Sequence, residues 1–151
     1  MKLSVERKPV KVYPDSGRVI ARFFFNGEER ALALIKKILG LDSESIFGII
    51  SPWLQDYSKR HRNITKKLLK HCDKVKLYIE KAGYDYERLD EYSKLLIGSY
   101  FTHEYSIESA AFFNPSIVPD PDQTNLEEGQ LRVLISFRAV GEGHISSIVF
   151  R

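Results

Sequence analysis

The sequence predicts an α+β fold in which two β-rich ends enclose a helical middle. Apolar residues alternate in twos near the start, recur with helical spacing through the centre, and form short runs between turn residues in the last third. Because strands and helices are grouped rather than alternating, a parallel α/β sheet is not expected. We therefore divide the chain into N-terminal β strands (1–25), a helical region (26–110) and a C-terminal β region (111–151).

The first β region is predicted to be a hairpin. Leu3, Val5, Val10 and Val12 are spaced in twos within their runs, and residues 18–25 form a second β-rich run. The segment Pro-Asp-Ser-Gly between the two runs is a turn signal. We expect this turn to join the two arms.

The helical region is predicted to contain four helices. Apolar residues with helical spacing and stop signals such as Gly40 and Gly83 place these helices at about 26–40, 42–57, 63–83 and 86–101. Pro52 should kink or divide the second helix, because proline lacks the amide hydrogen. The third carries Cys72, which we expect to pack as a small apolar residue.

Three strands are predicted in the C-terminal region. The first is entered through Asn114 and Pro115, and the other two span 131–140 and 145–150. The connection between the last two contains Gly141 and Gly143, which suit a tight turn. The acidic, proline-containing segment 119–129 is predicted to be an exposed loop.

Composition bounds the class of protein. The chain has 151 residues, 43% hydrophobic residues, 28% charged residues and a formal net charge of +3, which are ordinary values for a globular domain. A single cysteine excludes a disulfide within the chain. No segment resembles a signal peptide or a membrane span, so we expect a cytoplasmic protein without a membrane partner.

A basic stretch runs over residues 59–76. Such a run is most often a solvated helix face, although it could also track the phosphates of a nucleic acid. Aromatic residues suited to stacking on bases are sparse there, so nucleic acid is not the partner we expect. Within the stretch, Arg60, His61 and Arg62 fall at a helix junction and could be aimed at a pocket or at carboxylates of the same chain.

Glu104 and Glu108, next to His103, form the second candidate cluster. Their spacing of four residues would place both carboxylates on one helical face, where they could act in acid–base chemistry. The usual metal-binding spacings of histidine are missing, so no metal site is predicted. We favour a structural role in which these carboxylates form salt bridges with the Arg60–Arg62 cluster.

Asn114 and Arg138 form the third cluster, near a shared strand end. An amide can pair hydroxyl groups as donor and acceptor, and a guanidinium can fork onto vicinal oxygens or phosphate. The residues alone suit a polyol or an anion as ligand. They suit a hairpin with an arginine-stabilised turn equally well.

The segments Asn-Pro-Ser-Ile-Val (114–118) and Ser-Phe-Arg-Ala-Val-Gly-Glu-Gly-His-Ile-Ser-Ser-Ile (136–148) resemble the start of the catalytic domain in family 130 of the glycoside hydrolases. The weaker resemblance elsewhere extends over the whole chain. It implies that the C-terminal strands begin a five-bladed β-propeller and that the parent enzyme is a β-mannoside phosphorylase or a related glycosidase. The carbohydrate substrate would then be a mannoside, with inorganic phosphate as a co-substrate of a phosphorylase and no other cofactor.

The resemblance also implies which residues bind the sugar. Asn114 and Arg138 match positions that line the sugar pocket, and Glu142, His144 and Ser146 match positions near the propeller centre. The family's catalytic aspartate lies in a later motif of Asp-Pro-Arg character, which this sequence lacks. We assign no catalytic residue and expect the chain alone to be inactive.

The chain stops at Arg151 within a predicted strand, which suggests a fragment whose partners are the remaining blades of its parent chain. The helical region could also build an interface in a homo-oligomer. Two alternatives to the enzyme segment stay open. The first is a stand-alone helical module that binds another protein, and the second is a nucleic-acid binder that uses the basic face over 59–76.

Overall fold

The structure, a computed structural model, describes residue 7 and residues 9–151. It is a mixed α+β fold with five α-helices and two small antiparallel sheets, so the predicted fold class is confirmed at that level. The strands are β1 (Val19–Phe23), β2 (Thr102–Ser106), β3 (Ala111–Pro119), β4 (Val133–Val140) and β5 (Ser146–Phe150). The helices are α1 (Glu28–Leu39), α2 (Ser43–Ser58), α3 (Ile64–Asp73), α4 (Lys76–Lys81) and α5 (Glu91–Tyr100).

The chain divides into two compact units. One comprises Val19–Tyr105 and is called the helical unit here. The other comprises Met1–Arg18 and Ser106–Arg151 and is called the β unit. Each is described by itself below.

The first strand does not form the predicted N-terminal hairpin. Leu3 and Val5 lie outside the described residues, and residues 9–18 contain no strand. Instead β1 pairs with β2, far along the chain, in an antiparallel two-stranded sheet. At one end the amide of Phe24 donates to the carbonyl of Phe101 over 2.9 Å. The alternation near the N-terminus predicts local pairing, whereas the partner of β1 follows the helices in the chain.

The second and third predicted helices differ from expectation. Helix α2 continues through Pro52 without division. The carbonyl that loses its partner there belongs to Gly48, which is exposed and can be satisfied by water. The predicted third helix is instead two helices, because the chain turns at Val75, whose φ of −108° and ψ of 11° are not helical. Val75 is fully buried, so the turn keeps an apolar side chain in the core.

A single apolar core holds the helical unit together. Its fully buried members include Ile35, Ile50, Leu68, Ile79 and Ile97, one or more from each of the five helices. Cys72 also lies in this core with no exposed surface, as expected for a small apolar residue, and burial raises the pKa of its thiol to about 12.

Helices α3 and α5 approach closely at a glycine. A Cβ atom added at Gly98 would lie 2.1 Å from the carbonyl oxygen of Leu68, which is a backbone atom and cannot rotate away. Only glycine permits this separation of the two helices.

The β unit contains a three-stranded antiparallel meander in the order β3-β4-β5. Its strands agree with the three predicted for the C-terminal region. One face packs on a small core formed by Phe137, Ala139 and Val149, with partly buried apolar neighbours. The opposite face, called the outer face here, carries Arg138 and Ile148, which are paired across β4 and β5 and are both exposed. The five-bladed propeller implied by the resemblance stays a prediction.

Candidate functional site

A cleft of about 390 Å³ lies on the outer face of the meander. Its volume is within the range of small-ligand sites, which is roughly 300–1,000 Å³. It is lined by Asn114, Ser136, Phe137, Arg138, Ser146, Ser147 and Ile148. The lining therefore includes three of the five residues that the sequence singles out, namely Asn114, Arg138 and Ser146. None of the lining residues is a carboxylate.

A β-bulge places Asn114 in this cleft. The pairing of β3 with β4 shifts register between Phe113 and Ser116, and Asn114 has a φ of +52° in this interval. Asparagine tolerates this left-handed conformation better than most residues, and a bulge redirects the side chain out of the normal strand alternation. No hydrogen bond involves the Asn114 amide among the described residues, so both its donor and its acceptor are available to a ligand.

Arg138 is held in place by neighbours on both adjacent strands. Its Nη2 and Nε donate to the hydroxyl oxygen of Ser146 over 3.0 and 3.3 Å. Its guanidinium lies 5.6 Å from the centre of the Phe113 ring, at the distance of a cation–π contact. No carboxylate pairs with it within residues 9–151, so its remaining donors face the cleft or solvent.

The other two residues singled out from the sequence lie elsewhere. Glu142 and His144 occupy a single 3₁₀ turn between β4 and β5, and both are exposed. The backbone there is left-handed at Gly143 (φ 72°) and at His144 (φ 60°), whereas Gly141 is extended (φ −96°), so only one of the two glycines takes the conformation expected for the turn. Neither residue lines the cleft.

Glu108 forms a buried ion cluster in the β unit. The residue is only 2% exposed, and its two carboxylate oxygens accept hydrogen bonds from Arg18 and Arg151, both over 2.7 Å. The backbone amide of Asp15 adds a third bond of 2.8 Å. This carboxylate thereby connects the segment that contains Asp15 and Arg18 with Arg151 at the far end of the chain. These bonds indicate a structural role for Glu108.

Glu104 lies in strand β2 and serves a different group of partners. It accepts hydrogen bonds from Arg60 over 2.8 Å and is 2.6 Å from Nε2 of His61. Burial would raise the pKa of Glu104, but the bonds from Arg60 and His61 outweigh it and lower that pKa below its usual range. The predicted salt bridge to the arginine cluster is confirmed for Glu104. The predicted helical face shared with Glu108 is wrong, because residues 102–106 form a strand.

The predicted salt bridge from Glu108 to the Arg60–Arg62 cluster is wrong, because Glu108 bonds to Arg18 and Arg151 instead. The three charged members of the Glu108 cluster lie at positions 18, 108 and 151, and no spacing rule connects residues so far apart in the chain. The signal in the sequence is the spacing of four residues between Glu104 and Glu108, which predicts a shared helical face and not this cluster. Such a signal is too common to identify a buried ion pair.

The helical unit has an apolar cleft of its own, of about 220 Å³, between α2 and α5. Ile49, Trp53, Leu96, Ser99 and Tyr100 line it. Trp53 stacks on Tyr57 with the ring centres 3.6 Å apart. This cleft is the feature of the unit that the protein-interaction alternative would use.

In the described part of the chain, no three histidine, cysteine, aspartate or glutamate side chains come together in a group that could hold a metal ion. None of the helices described is both long enough and apolar enough to cross a bilayer. No family model matches the chain, and comparisons with curated proteins and with solved structures found no match either.

Proposed function

We propose that this chain is the N-terminal segment of a glycosidase or phosphorylase acting on β-mannosides, and that it supplies part of the sugar-binding site. The observation that carries the proposal is the cleft on the outer face, which brings Asn114, Arg138 and Ser146 together from three strands. These residues are separated in sequence and were selected by their resemblance to a sugar-binding set.

The lining of the cleft suits a ligand rich in hydroxyl groups. The free amide of Asn114 can donate to one hydroxyl and accept from another, and the Arg138 guanidinium can fork onto two neighbouring sugar oxygens. The hydroxyls of Ser136, Ser146 and Ser147 add further donors and acceptors. Apolar contact with the sugar ring would come from Ile148.

The same residues indicate that this segment would bind the sugar without supplying the general acid. No carboxylic acid lines the cleft, and general-acid protonation of a glycosidic oxygen requires one. The acid would therefore come from outside this segment, and the remaining blades of a propeller are its proposed source. Inorganic phosphate is the proposed co-substrate if the enzyme is a phosphorylase. Glu142 and His144 are proposed to contact the sugar only at the rim, since they occupy the exposed turn.

The test is to titrate the purified chain with methyl β-mannoside and with β-linked mannobiose and to measure binding by NMR. An exposed cleft that contacts one face of a sugar should give a dissociation constant of roughly 1 mM, which corresponds to about −4 kcal/mol. Arg138→Lys removes the fork while keeping the charge, and should weaken binding about tenfold. No mannoside should be turned over by the wild-type chain.

Arg30→Lys is the matched control, because Arg30 is exposed on α1 and has no ion-pair partner among residues 9–151. It should leave the affinity unchanged. Equal binding of cellobiose would argue against a mannoside site, and binding of sulfate or phosphate with the same Arg138 dependence would assign the cleft to an anion. Turnover of a mannoside by the chain alone would contradict the proposal that the general acid comes from outside this segment.

A further inference from the structure

A basic groove runs along helix α3 in the helical unit. Three adjoining clefts of about 200, 290 and 440 Å³ share lining residues along this helix, and Lys67 belongs to all three. The cationic side chains that line the second and third are Arg22, Arg62, Lys66, Lys67, Lys70 and Lys74. Helix α3 itself, Ile64–Asp73, is about 15 Å long.

The cations of the groove have no carboxylate partners in the part of the chain that the structure describes. Within residues 9–151, none of the six forms an ion pair. Some other cations of the same unit are paired, as Arg60 is with Asp56 and Glu104, Lys76 with Glu87, and Lys81 with Glu28. Arg30, Lys36, Lys37 and Lys94 also form no ion pair among the described residues. The groove is distinguished because it gathers six unpaired cations along one surface whose lining contains no carboxylate.

The spacing of the lysines makes this imbalance costly to the helix. Lys66, Lys70 and Lys74 follow one another at intervals of four residues, and like charges at this spacing destabilise a helix. A simple solvated face is usually relieved by interspersed acidic residues, and α3 has only Asp73. That residue accepts a hydrogen bond from the hydroxyl of Tyr86.

Two lysines of the groove contact strand β1. The ammonium of Lys67 donates to the carbonyl oxygen of Ala21 over 3.4 Å, which joins α3 to β1. The ammonium of Lys74 lies 4.7 Å from the centre of the Phe23 ring. The positive charge of the groove also affects buried His71. Burial first, and then the charges of Lys74, Lys67 and Lys70, lower the pKa of His71 to about 4.

We propose that this groove binds the phosphodiester backbone of single-stranded nucleic acid, without reading its sequence. An extended row of cations matches a linear polyanion better than a single phosphate, which needs donors converging on one point. The described lining has three rings, of which His61 and His71 are buried. The third, Phe23, is contacted by Lys74 and by the ring of His71, so this lining offers no exposed ring face for stacking on bases. The proposal is independent of the sugar cleft and departs from the expectation drawn from the sequence. The sequence could not show that the row lacks counter-charges across the groove.

The experiment measures fluorescence anisotropy of a labelled oligo-dT and of a labelled mixed-sequence RNA as a function of salt. Four lysine–phosphate contacts should give a slope of log K against log salt of about −3. The variant Lys66→Gln/Lys70→Gln/Lys74→Gln should reduce the magnitude of that slope by about 2 and weaken binding about tenfold or more at low salt. It spares Lys67, which bonds to β1.

The control variant Arg30→Gln/Lys36→Gln/Lys37→Gln removes the same charge from exposed positions on α1. It should leave the slope and affinity close to wild type. Equal losses in the two variants would show that only net charge matters and would overturn the proposal. So would the absence of binding, or tighter lysine-dependent binding to phosphatidylserine vesicles or to polyglutamate than to the oligonucleotides.

Discussion

The two units of the molecule are stabilised in different ways. The helical unit encloses an apolar core with members from all five helices. The β unit has a core of only a few apolar side chains, and beside them a fully buried carboxylate, Glu108, bonded to Arg18 and Arg151. Hydrophobic burial tolerates many substitutions of similar volume, whereas a buried ion cluster depends on every member being present. The stability of the β unit should therefore be sensitive to substitutions at charged positions, and that of the helical unit to substitutions at close-packed ones.

The largest effect is expected from Gly98→Ala in the helical unit. The added methyl group would meet the Leu68 carbonyl oxygen, so α3 and α5 would have to separate. We expect a loss of about 4 kcal/mol or more in the free energy of unfolding. Denaturant unfolding followed by Trp53 fluorescence measures it.

Gly48→Ala is the control for this substitution. Gly48 is an exposed helical glycine with nothing within 4 Å of an added Cβ. Alanine there should stabilise the helical unit by about 0.5–1 kcal/mol. If Gly98→Ala were as mild as the control, the close approach of α3 and α5 would be wrong.

The next effect is expected from Glu108→Ala in the β unit. Removing the carboxylate leaves two guanidinium groups and the Asp15 amide without their shared acceptor, which should cost about 3 kcal/mol. Amide hydrogen exchange should show lost protection in β4 and β5. Glu128→Ala, at an exposed loop position, should change nothing measurable. Unaltered exchange in Glu108→Ala would show that the ion cluster does not stabilise the β unit.

The smallest effect is a dependence on pH through His71. Its pKa is about 4 in the folded chain against 6.5 ordinarily, so between these values the unfolded chain binds a proton that the folded chain does not. The free energy of unfolding should therefore fall as the pH is lowered from 6.5 towards 4, by about 2 kcal/mol. Arg22, Lys67, Lys70 and Lys74 share the cleft with His71, and none of them is an acid that could offset this proton.

The variant His71→Asn isolates this contribution. Asparagine does not titrate and can still reach Thr102, whose hydroxyl is 2.6 Å from Nδ1 of His71. The difference between wild type and variant should change over pH 4–6.5 and not above it. His144→Asn, in an exposed turn of the β unit, should leave the profile of the wild type intact. A pH-independent difference for His71→Asn would mean that His71 does not titrate as described.

The sequence predicted what depends on local periodicity and missed what depends on distant pairing. Apolar spacing placed α1, α2 and α5, and turn residues placed the β3-β4-β5 meander. The partner of β1 was assigned to the neighbouring segment, because periodicity identifies a strand without identifying its neighbour. The turn at Val75 was missed because its valine continues the apolar pattern of a single helix.

The candidate site shows the same division. Asn114, Arg138 and Ser146 are brought together by the register of adjacent strands. A short turn sets that register for β4 and β5, whereas β3 and β4 are joined by a long loop and their register depends on the apolar pattern. Glu142 and His144 were grouped with them, but the turn between β4 and β5 carries both away from the lining of the cleft. The groove along α3 depended on which acidic side chains lie opposite its lysines, and only the three-dimensional arrangement provides that.

The proposed sugar site on the outer face is tested most directly by mapping mannobiose binding through amide chemical shifts in the ¹⁵N-labelled chain. We expect shift changes centred on Asn114, Arg138 and Ser146, and their loss in Arg138→Lys with an otherwise unchanged spectrum. Changes confined to other parts of the chain, or no change at mannobiose concentrations well above about 1 mM, would contradict a sugar site on the outer face of the β unit.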